Sequence, residues 1–173
     1  MDNTLFEILV FVCMITHIIR AVYEVMKHKQ IIQASKLSFV IIFTNMFLLW
    51  TSWFMLCRFD KSVLNLPAVF NYLGIALVII GLVIFLTALL TIKTLETYKG
   101  GLITKGIYSR IRHPMYLGFI FWLIGMPVSY GGMYSMMLSI PFIINVLFWK
   151  HIEEIELLKR FAEYKVYKGR TFF

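Results

Sequence analysis

Charge is what this sequence has least of. Nine acidic and seventeen basic residues make up 15% of 173 positions, while 60% are hydrophobic. A soluble domain of this length needs a charged exterior, and these residues do not supply one. Cysteine is scarcer still, with two residues. Cys13 and Cys57 both fall in apolar runs, which argues against a disulfide framework or a zinc site and leaves packing as their role. No G-x-S-x-G, Walker loop or dinucleotide glycine fingerprint occurs. Nor is there a basic stripe interleaved with stacking aromatics on a soluble face, so nucleic acid is not an expected partner.

What the chain does have is long uncharged runs. Leu37 to Cys57 is 21 residues, Pro67 to Ile92 is 26, and Met115 to Trp149 is 35. A hydrocarbon core of about 30 Å takes about 20 helical residues. Such runs read as helices, because a backbone in lipid must satisfy its own hydrogen bonds. A fourth run, Leu5 to Ile19, lacks the basic start and the cleavage site of a signal peptide, and reads as the first span. The 35-residue run is too long for one crossing, and Pro127 with Tyr130-Gly131-Gly132 punctuates its middle. The expected fold is therefore all-α: a single membrane domain, 1–173, with five transmembrane helices. The spans fall at about 4–22, 37–57, 67–92, 115–128 and 133–149, the last two forming a short helical hairpin.

Basic residues orient this bundle. Segments 20–36, 93–112 and the tail after Trp149 hold fifteen of the seventeen, leaving Arg58 and Lys61 in the 58–66 loop and none in the hairpin turn. The positive-inside rule then puts the N-terminus outside and the C-terminus in the cytoplasm. The +8 net charge is accordingly a topology signal, with anionic lipid headgroups as a secondary attraction.

Polar chemistry has room in two places, the connector 93–114 and the tail 150–168. Pro114 marks the start of the fourth span, since proline is favoured in a helix's first turn. It leaves His113 extended at a helix entrance, beside unpaired backbone N–H groups that suit a carboxylate or phosphate oxygen. Arg112 strengthens that preference; the plainer role for Arg110, Arg112 and His113 is anchoring to headgroups. In the tail, a helix over 153–167 groups Glu153, Glu156, Arg160 and Glu163 on one stripe. Glu154, Leu157, Leu158 and Phe161 form the opposite, apolar stripe. A carboxylate there is costly without a cation or donors, so Glu154 is either a ligand-binding group or the structural partner of a base such as Arg112. His17 and His28 flank the first span and read as interfacial residues. His151 lacks the second histidine of a zinc site, and no metal site is expected.

The run G-I-Y-S-R-I-R-H-P-M-Y-L-G (Gly106 to Gly118), a hydrophobic hairpin, then E-E-I-E-L-L-K-R-F (Glu153 to Phe161) with Tyr164 and Tyr167, resembles the isoprenylcysteine carboxyl methyltransferase family. Phospholipid methyltransferases share a similar core. The resemblance covers roughly the last eighty residues. It implies a membrane enzyme that moves a methyl group from S-adenosylmethionine to a lipophilic acceptor, such as the carboxylate of an isoprenylcysteine. It further implies a cytoplasmic cofactor pocket lined by Leu102, Ile103, Gly106, Tyr108, Arg112, His113, Pro114, Tyr116 and Glu154. Arg112, Lys150 and Glu154 stand where it puts catalytic groups. Departures from the family pattern are Gly100, where many relatives carry histidine, Lys150 with His151 in place of an arginine, and Phe161-Ala162-Glu163-Tyr164 in place of F-G-x-x-Y. A sterol-type reductase using NADPH and a non-catalytic membrane subunit are the competing expectations; cofactor binding separates them.

Overall fold

The computed structural model describes residues 3–33, 35–92 and 101–173. Among the described residues six α-helices follow in chain order: α1 Asn3–His28, α2 Lys36–Arg58, α3 Ala68–Ile92, α4 Pro114–Tyr130, α5 Met133–Arg160 and α6 Tyr164–Arg170. A 3-10 turn at Gly106–Ser109 precedes α4. The fold is an all-α membrane bundle, in which α1, α2, α3 and α5 are long and apolar enough to span. At 17 residues α4 is shorter, about 26 Å of helix.

Local chemistry explains the helix ends. Ser35 and Ser38 cap α2 reciprocally, each side chain meeting the other's backbone N–H. Pro114 opens α4, and Gly131 closes it in the left-handed conformation at φ 65°. A side chain at Gly131 would also sit 2.6 Å from the Leu64 carbonyl oxygen, so only glycine fits this turn. Asp60, from the α2–α3 loop, accepts hydrogen bonds at 2.7 Å from the backbone N–H and the hydroxyl of Ser135. That carboxylate lies at the positive end of α5 and ties the loop to the hairpin turn.

Packing is uneven. The closest pair is α3 with α4, where Gly81 and Gly118 let the backbones meet: a Cβ on Gly81 would lie 2.9 Å from the Gly118 carbonyl oxygen. Polar pairs tie α1 to α2, with Cys13 and Ser52 3.1 Å apart and Asn45 donating to the Thr16 carbonyl. Trp53, Leu49, Leu123, Val146 and Trp149 fill the shared core. α2 and α3 are not packed along one another, and this parting opens the interior.

Three expectations need correcting. α5 does not end near 149 but runs unbroken to Arg160, about 42 Å, so its last turns project beyond the hydrocarbon core. The tail is therefore no separate helix over 150–168. It stops where Phe161 turns extended, after Lys159 and Arg160 in the negatively polarised last turn, and resumes as α6. His17 is not interfacial. It is 3% exposed, stacked on Phe142 at 4.0 Å and held 3.1 Å from the Asn145 side-chain nitrogen, because α5 packs against α1 there.

Candidate functional site at the α4 entrance

His113 occupies the N-cap position of α4 and makes no side-chain cap, so the first-turn N–H groups of Met115 and Tyr116 are left without one. Its buried ring is held instead by carboxylates from α5. Nδ1 lies 3.5 Å from Glu153 Oε2, and Nε2 lies 3.5 Å from Glu154 Oε1 and 3.3 Å from the Tyr164 hydroxyl. Burial disfavours the charged ring, but the hydrogen bonds and charges of Glu153 and Glu154 outweigh it and raise the His113 pKa above the ordinary value.

The two glutamates have different surroundings. Glu154 is enclosed: Lys168 Nζ is at 2.6 Å, Arg112 Nε at 3.4 Å and Lys150 Nζ at 3.6 Å. Arg112 also donates to the carbonyls of Lys168 and Thr171, and its backbone pairs with Phe172, so the tail folds over this pair. The Tyr167 hydroxyl donates to the Tyr108 carbonyl and closes the same seam. Glu153 keeps 43% of its side-chain surface accessible and turns it to a partly open cavity. Its position on the supposedly polar stripe therefore faces the cavity, contrary to the sequence expectation.

That cavity measures about 450 Å³ and lies between α2, α3 and α4. Its larger part is apolar, with Met46, Trp50 and Phe54 of α2, Phe85 of α3 and Phe119 of α4 in the lining. Its polar end gathers Arg20, Tyr108, Arg112, His113, Tyr116 and Glu153. An apolar chamber with a few convergent polar groups suits an amphiphilic molecule.

Of the residues singled out from sequence, Tyr108, Arg112, His113, Pro114 and Tyr116 line this cavity. Glu154 and Lys150 do not; they lie behind it, with Lys150 over the Phe173 ring at 4.6 Å. Leu102 and Ile103 are half-buried, Gly106 is exposed with φ 60°, and none of the three lines it. Gly100 lies outside the described residues. Sequence reasoning missed Glu153 and Arg20. Arg20 pairs with Glu24 one turn on, a spacing visible in the sequence once α1 is known to continue to His28.

A model of the phospholipid methyltransferase family matches residues 69–164, from the first turn of α3 to the start of α6. The isoprenylcysteine methyltransferases fall in the same clan. No curated protein and no solved structure matches the chain.

Proposed function

The chain belongs to the phospholipid methyltransferase family, and on that premise we propose that it transfers a methyl group from S-adenosylmethionine to a lipophilic acceptor. One observation carries the reading: a single cavity joins an apolar chamber to the polar α4 entrance. The acceptor's chain suits the chamber between α2 and α3, reached from the bilayer through their parting.

The residues present fit the cofactor. The uncapped first turn of α4 and the Arg112 guanidinium suit its carboxylate, and Glu153 suits its ammonium or its ribose hydroxyls. When bound, S-adenosylmethionine supplies a methyl group on a positively charged sulfur, open to in-line displacement. Alignment of the two reactants is then the chief source of acceleration. Trp50, Phe85 and Phe119 exclude water from the chamber. A carboxylate acceptor loses no proton. An amine or thiol must shed one, and Glu153, 3.5 Å from His113, is the cavity-facing carboxylate able to take it.

The test is titration of the detergent-purified protein with S-adenosylhomocysteine, with NADPH alongside, followed by tritiated methyl transfer to a membrane lipid extract. Saturable binding of the homocysteine analogue and label in an organic-extractable product are expected. Binding of NADPH alone would return the sterol-type reductase, and binding of neither would sink both enzymatic readings.

A further inference from the structure

Arg20 belongs to α1, outside the 69–164 match, yet it reaches the polar end of the cavity. An arginine in a membrane span is costly unless it is paired and turned to the interior. Arg20 meets both conditions. It bonds Glu24 within α1, and its guanidinium lies 5.7 Å from the Tyr23 and Trp149 ring centroids. These contacts orient the planar group and leave its side chain 12% accessible.

The charge around it is not balanced. Arg20 and Arg112 both line the polar end, and Lys27 acts electrostatically on Glu153. Among the described residues, the carboxylates of Glu24 and Glu153 stand against these. Glu154 pairs with Arg112 at 3.4 Å and is shared with Lys168 and Lys150 behind the cavity, so among the described residues five bases stand against three carboxylates here. The polar end therefore favours an anion, and it adjoins a chamber built for an apolar chain.

We infer that Arg20 anchors an oxyanion on the acceptor, a phosphate diester or a carboxylate, and so sets which lipophilic molecules present their reactive atom to the α4 entrance. This rests on the methyltransferase reading of the same cavity. A guanidinium suits either group because its fork matches two oxygens at once. Lysine keeps the charge but not the fork.

The test measures binding directly, without requiring turnover. Trp50 and Trp122 line the cavity and report occupancy by fluorescence. Two ligand pairs are titrated below their micelle concentrations: dihexanoyl phosphatidylethanolamine against dihexanoylglycerol, and S-farnesylcysteine against its methyl ester. The expected result is a preference of about tenfold or more for the oxyanion member of at least one pair. The pair that shows it tells phosphate from carboxylate. R20Q should erase that preference and R20K should retain only part of it, with melting temperature as the check on folding. No preference in the wild type overturns the inference, as does full preference in R20Q, or in R20K where R20Q fails to fold. Equal losses of lipid and S-adenosylhomocysteine affinity in R20Q overturn it too, since Arg20 then serves the fold or the cofactor. Absence of S-adenosylhomocysteine binding in the wild type strikes the methyltransferase reading alone and leaves the lipid result standing.

Discussion

His113 Nδ1 stands 3.5 Å from Glu153 Oε2, on a ring whose other nitrogen faces Glu154. One imidazole thus joins a cavity-facing carboxylate to an enclosed one. Proline holds the ring at the α4 entrance, and two consecutive residues of α5 reach its two nitrogens. The arrangement couples the polar end of the cavity to the tail that closes behind it.

Removing each glutamate should therefore have a different consequence. Glu153→Gln should lower methyl transfer to an amine or thiol acceptor by about 100-fold or more, and should lower the melting temperature less than Glu154→Gln, since it gives up one pairing to His113. Glu154→Gln should instead destabilise the fold by about 3 kcal/mol, because it leaves Lys168, Arg112 and His113 without their shared partner. Activity and thermal melts of the two variants check this, and indistinguishable profiles would refute it.

The raised His113 pKa makes a pH prediction. Its charged pairing with the glutamates stabilises the fold fully below the ordinary imidazole value of about 6.5, and that contribution fades as pH rises through the elevated native value. The wild type should melt above His113→Gln at mildly acidic pH, and the gap should narrow on the alkaline side. A gap that widens with pH would contradict the ion pairing.

Filling the chamber separates acceptor from cofactor. Met46→Trp places a larger side chain in the α2 wall. It should raise KM for long-chain acceptors by about tenfold, a loss of about 1.4 kcal/mol, while S-adenosylhomocysteine affinity stays unchanged. A parallel loss of both affinities would show that the chamber does not hold the acceptor's chain.

The α3–α4 contact admits no side chain. A Cβ on Gly118 would lie 2.8 Å from the Gly81 carbonyl oxygen, a backbone atom that moves only with its helix. Gly118→Ala should cost about 1–3 kcal/mol, read as a lower melting temperature in detergent. An unchanged melt would mean that the two helices separate without cost.

The order of the apolar helices was legible because its causes are local. Run lengths matched the bilayer, Pro114 lacks the N–H that a helix start does not need, and Gly131 takes the one conformation that turns α4 into α5. The helix entrance at His113 was legible for the same reason. The tail was not, since periodicity alone did not show that α5 would continue to Arg160 or that Phe161 would break the helix.

By itself the sequence determined an all-α membrane chain with a polar helix entrance and, separately, a glutamate pair in its tail. Only the tertiary structure decided which glutamate meets the cavity, that Arg20 reaches its polar end, and that His17 is buried. Periodicity assigns a residue to a face of its own helix but says nothing about what that face meets. Here α2 and α3 part while α4 and α5 stay paired, so the stripe opposite the apolar one brings Glu153 to the cavity, and Glu154 is enclosed by the returning tail.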